Sequence, residues 1–103
     1  MGINISRKKE GIMFIYLTGE IDSASTFDLF IQEEKELRKQ GYRVNSLINY
    51  KKTISDSDYR RQRIKNVIKA DKLIVIGSNY EDMQIERLVA EYLSIKVENY
   101  DKN

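Results

Sequence analysis

The 103 residues contain no histidine and no cysteine. Imidazole bases, thiol nucleophiles, thiolate zinc sites and a Ser-His triad are therefore excluded together, and catalysis falls to carboxylates, tyrosines, lysines or backbone donors. The carboxylate best placed by its spacing is Glu86. It stands about one turn into a helical pattern in which Ile85, Leu88, Val89 and Tyr92 recur at i, i+3, i+4 and i+7. Just upstream, Lys72-Leu73-Ile74-Val75-Ile76 is a mostly apolar run of strand length, ended by Gly77 and Ser78. Such a run suits a strand buried on both faces of a parallel sheet. Ligands of open parallel sheets sit just beyond the carboxyl ends of the strands, where Gly77, Ser78 and Tyr80 fall. A carboxylate beside that mouth can do chemistry. The same residue can equally be a helix-surface group, and by counting alone that plainer role is the commoner one.

The elements that must position Glu86 form one small domain, taken here as 12–98. About 41% of the chain is apolar and 33% is charged, which marks a salty globular protein rather than a disordered one. The net charge of +2 is too small to argue for nucleic acid or an anionic membrane. No apolar stretch reaches membrane-spanning length and no signal-peptide core is present, so a cytoplasmic protein without membrane attachment is the expectation. No cofactor and no metal are expected either. The opening Met1-Gly2-Ile3-Asn4-Ile5-Ser6 matches a short acylation pattern too common to carry weight.

In chain order, residues 1–11 read as an N-terminal arm or a leader, with Met13 as an alternative start. The apolar run from Ile12 to Leu17 is the first core strand. Ser23 or Ser25 suits the N-cap of a helix that carries Phe27, Phe30, Ile31 and Leu37 on one face, with Asp28 in its first turn. Gly41 suits the position after the helix, and Tyr42 to Ile48 alternate as a strand does. A polar loop follows from Asn49 to Ser57. Ser55 or Ser57 then caps a second helix with a stripe of Tyr59, Ile64, Val67 and Ile68 and a basic face of Arg60, Arg61, Arg63 and Lys65. Such a face is usually solvated; otherwise it docks phosphate or an acidic partner. The last strand is Ile95 to Val97, with 99–103 a frayed tail. This β-α-β-α-β-α-β order predicts a small three-layer, doubly wound α/β fold of the flavodoxin or Rossmann type. Four parallel strands in the order 2-1-3-4 would bring residues 19–25 and 77–82 to one mouth.

From Met13 to Val97 the chain resembles the nucleoside 2-deoxyribosyltransferase superfamily, above all its short phage and bacterial members. Four pieces carry the resemblance in order: Phe14 to Gly19, Glu36 to Val44, Arg63 to Asp71, and Glu86-Arg87-Leu88-Val89-Ala90. It implies a nucleoside or nucleotide ligand, a homodimer, and possible cleavage of an N-glycosidic bond. Glu86 would be the nucleophile at the sugar C1′, stabilising an oxocarbenium-like centre. Asp71 would hold or protonate the base or bind the sugar, and Tyr16 would orient Glu86 by a hydrogen bond. Gly19 and Ser23 would cradle a 5′-phosphate with backbone N–H groups. A catalytically silent relative would use the same mouth only to bind. The chain departs from the family pattern at Glu20, Tyr80 and Asp82, all on the substrate side.

A second resemblance, over Ile3 to Ser25, is to STAS domains (anti-sigma factor antagonists). It would make the protein a binding switch modified at Ser55 or Ser57. That reading requires the first core strand to pair with an N-terminal strand at residues 3–7.

Overall fold

The computed structural model describes residues 12–49 and 55–100. The proposed arm at 1–11, part of the polar loop at 50–54, residues 101–103 and the side chain of Asp82 lie outside the described residues. Strands β1 (Phe14–Gly19), β2 (Arg43–Ser46), β3 (Lys72–Ile76) and β4 (Lys96–Asn99) alternate with helices α1 (Ala24–Lys39), α2 (Asp56–Lys69) and α3 (Gln84–Tyr92). The sheet is wholly parallel and ordered β2-β1-β3-β4, the order the alternation predicts.

Because β1 and β3 are central, both of their faces are covered. Alternate residues of β1 therefore serve two different layers. Ile15 and Leu17 join Phe30 and Leu37 of α1, with Val44, Leu47, Ile74 and Ile76, in one apolar cluster. Tyr16 faces the other way, into a smaller cluster with Val67 and Ala70 at the end of α2, Leu73, and Ala90 of α3. Both ladder edges of β1 are occupied, by β2 and by β3. The N-terminal strand that the STAS reading requires has no edge of β1 to pair with.

Local chemistry sets the element ends. Ser23 is the N-cap of α1, its Oγ accepting from the Thr26 N–H at 3.2 Å, and Ser55 does the same for α2 with Asp58. Asp28 falls beyond the first turn of α1, which holds no acidic residue. Strand β1 begins two residues later than the apolar run suggests, because Ile12 precedes the first paired residue and is exposed. Strand β2 stops at Ser46, and Leu47 is buried from a 3-10 turn instead. Strand β4 runs on to Asn99, and the Tyr100 N–H still bonds the Val75 carbonyl at 2.8 Å.

The helix stripes need more correction. In α1 only Phe30 and Leu37 of the expected four are buried; Phe27 and Ile31 sit on its flank. In α2, Asn66 and Val67 point inward while Ile68 is exposed. In α3 three of the expected four face out, Ile85, Leu88 and Tyr92 being 60%, 60% and 88% exposed, while Val89 is half-buried against the Tyr16 cluster. The inward residues are Glu86 and Ala90. Periodicity located the helix, but a carboxylate took the inward position.

Candidate functional site

Two glycines pull the mouth loops together at the carboxyl ends of β1 and β3. Gly19 has φ +133°, and a Cβ there would overlap the Ile76 carbonyl. Gly77 has φ +77° and presses against the Glu20 carbonyl. Both conformations are ones that L side chains rarely adopt. With the Glu20 N–H donating to the Ile76 carbonyl at 3.0 Å, the two loops are stitched by backbone alone.

Beside this seam lies a cleft of about 440 Å³, lined among others by Gly19, Glu20, Arg60, Arg63, Ser78 and Glu86. Glu86 occupies the third position of α3, where the helix dipole favours a negative charge. It is only 7% exposed, yet its carboxylate is well supplied with donors. Arg63 Nη2 reaches Oε1 at 2.7 Å and Arg63 Nε reaches Oε2 at 3.2 Å, a bidentate pair. Thr18 Oγ1 donates to Oε2 at 3.0 Å. Arg63 Nη2 also meets the Gly19 carbonyl at 3.2 Å, and the guanidinium lies 5.6 Å from the centre of the Tyr59 ring. Burial alone would lower the Arg63 pKa, but Glu86 outweighs it and the net direction is upward. The result is a charged, desolvated knot joining β1, α2 and α3.

Tyr16 lies beneath this knot, fully buried, and its hydroxyl has no hydrogen-bond partner among the described residues. Burial first, and then the Glu86 charge, push its phenol well above the ordinary range, against the opposing pull of Arg63. The hydroxyl that orients Glu86 is thus Thr18, two residues further along the same strand face, rather than Tyr16.

The other expected residues divide by position. Gly19 and Ser78 line the cleft with Glu86. Ser23 is occupied as a helix cap, its Oγ within 3.1 Å of Ser25 Oγ and 3.0 Å of Thr26 Oγ1. Gly77 supports the seam without lining the cleft. Tyr80 packs beside the Tyr16 cluster and takes a 3.3 Å bond from its N–H to Asn99 Oδ1. Asp71 is not brought to the mouth. It precedes β3, roughly 16 Å away along a five-residue strand, and its Oδ2 accepts from the Phe14 N–H at 2.8 Å. Its role there is to close the amino end of the sheet.

Sequence reasoning missed Arg63 and Thr18. Arg63 was grouped with the solvated basic face, but it stands four residues after Tyr59 and four before Val67, on the stripe itself. A cation on an apolar stripe was the available signal. Among the described residues no helix is long and apolar enough to cross a membrane. The chain matches no known protein family, and neither a curated protein nor a solved structure shows significant similarity to it.

Proposed function

We propose that the mouth binds a nucleoside or nucleoside 5′-phosphate in the manner of the 2-deoxyribosyltransferases, with Glu86 as the group that acts on the N-glycosidic bond. The observation that carries this reading is a buried carboxylate, bonded by Arg63 and Thr18, at the edge of a cleft beyond the carboxyl ends of the strands. Oε1 accepts a hydrogen bond from Arg63. A 5′-phosphate between Arg60 and Arg63 competes for that guanidinium and frees Oε1. Oε1 then attacks C1′, and the C1′–N bond breaks with its electron pair leaving on the base, which takes a proton from water. Water or a second base then attacks C1′, breaks the Oε1–C1′ bond and returns Glu86 as a carboxylate. Glu20, also at the cleft, opposes the phosphate and makes the two arginines necessary.

Asp71 has no part in this chemistry, since it closes the far end of the sheet. The homodimer in the same reading is supported by the exposed stripe of α3, whose Ile85 also lines the cleft. A second reading, a silent relative that binds without turnover, is favoured by how completely Arg63 and Thr18 occupy the carboxylate.

The test is a thermal-shift series with nucleosides, their 5′-monophosphates and ribose phosphates, on wild type and Glu86→Gln, with free base measured by chromatography. A specific ligand raises the melting temperature with its concentration. Monophosphates are expected to shift both proteins, with base released by wild type alone. A shift without release selects the silent reading. The absence of any shift rejects the nucleotide mouth.

A further inference from the structure

A second and larger cleft, of about 830 Å³, opens at the other end of the sheet. It runs along the starts of β1 and β2 and the last two turns of α2. Its lining includes Arg38, Arg43, Lys65 and Lys69, with Asp71 the one carboxylate. Arg38 is already satisfied, by Glu34 at 2.9 Å and by the Val44 carbonyl at 2.6 Å. Arg43, Lys65 and Lys69 form no ion pair among the described residues. All three are exposed. Lys65 and Lys69 stand one turn apart, a spacing at which like charges repel and weaken a helix. The Arg43 guanidinium carbon lies over the Phe14 ring, 5.3 Å from its centre.

A chain whose net charge is only +2 thus gathers around one hollow, far from the mouth, three cations that outnumber its one lining carboxylate and form no ion pair among the described residues. A single phosphate would leave part of that charge unanswered, whereas two or more would relieve the lysine repulsion. The Arg43 guanidinium, held by the ring beneath it, presents a flat charged face of the kind on which bases stack. We infer that this cleft binds a phosphate-rich ligand bearing an aromatic base, its phosphates on Lys65, Lys69 and Arg43 and its base against the Arg43–Phe14 pair. The source of that chemistry is a free nucleoside polyphosphate or a single-stranded nucleic acid. This site is independent of the mouth reading, because it shares no residue with it.

The test is fluorescence anisotropy over a range of salt, with a labelled nucleoside triphosphate and a labelled short single strand as probes. The proteins are wild type, Lys65→Ala/Lys69→Ala and Lys35→Ala, the last removing an exposed lysine of α1 that lines neither cleft. Both lysines are exposed, so their removal leaves the fold intact, as circular dichroism will verify. The double variant should bind about tenfold more weakly or worse, with the salt slope smaller by about 2. Lys35→Ala should bind as wild type. Binding of the triphosphate as tightly as the strand identifies a free nucleotide; binding of the strand alone identifies nucleic acid. The inference is overturned if neither probe binds, if the double variant binds undiminished, or if Lys35→Ala weakens binding as much as the double variant does.

Discussion

The two faces of the sheet solve the same burial problem by different means. The α1 face is closed by aliphatic and aromatic side chains, Phe30 and Leu37 against Ile15, Leu17, Ile74 and Ile76. The α2/α3 face has a smaller apolar cluster and adds charge to it: Arg63, Glu86 and Thr18, with Asn45 bonded to Asn66 at 3.0 Å nearby. It also holds a buried phenol without a partner among the described residues, and leaves Ile85, Leu88 and Tyr92 of α3 facing outward. Burying an ion pair seldom adds net stability over apolar packing. One face therefore supplies the stability that the other can forgo, and the polar face is where chemistry and contacts are to be sought.

The sharpest way to break this contrast is to damage each face once and then attempt a repair. Phe30→Ala should cost about 3–5 kcal/mol in denaturant unfolding, through the cavity it leaves. Arg63→Ala should cost a similar amount, about 3–5 kcal/mol, because Glu86 is left buried and unpaired. The repair differs. Arg63→Met combined with Glu86→Leu should recover most of the loss, whereas no second truncation rescues Phe30→Ala. If the double variant stays as unstable as Arg63→Ala, the pair is a structural requirement and the contrast fails.

A smaller effect is expected at Tyr16. The folded protein keeps this phenol protonated above its ordinary value of 10.0. The unfolded chain ionises at that ordinary value, so the stability contributed is complete below it and lost as pH rises beyond it. Tyr16→Phe should therefore lessen the alkaline loss of stability. At neutral pH it should be neutral or stabilising by about 1 kcal/mol, since it removes an unsatisfied hydroxyl. A clear destabilisation would mean that the hydroxyl has a partner.

The smallest change in fold stability, within about 0.5 kcal/mol, is expected for Leu88→Lys on the outward stripe. In sedimentation velocity the proposed wild-type dimer should give way to a monomer in the same variant. A large stability loss in a monomeric wild type would place Leu88 in the core instead.

These faces were unequally legible in the sequence. Continuous apolar runs with glycine ends announced β1 and β3, and their alternation with helices gave the sheet order. Phe30 and Leu37 were recognisable because apolar burial follows helical spacing directly. Spacing alone could not reveal that Ile85, Leu88 and Tyr92 of α3 face outward, because they do form a regular stripe. Beside Ala90, the inward face holds Glu86, whose partner Arg63 stands in a different element, a pairing that only the fold brings about. For the same reason Asp71 looked like a site residue, although its partner is a backbone N–H at the amino end of β1.

The middle position of β1 also governs how the molecule can assemble. Strand β1 finds its register with β2 only after all of α1 has been made, and with β3 only after α2 as well. Contacts between such distant segments slow folding, because loop entropy is lost before the pairing rewards it. A nascent chain ending before Lys72 holds Tyr16 and Thr18 on a strand with one edge still open, ready to accept a foreign strand. The synthesis of β3 is therefore the step that commits the chain, closing that edge and bringing the two mouth loops together.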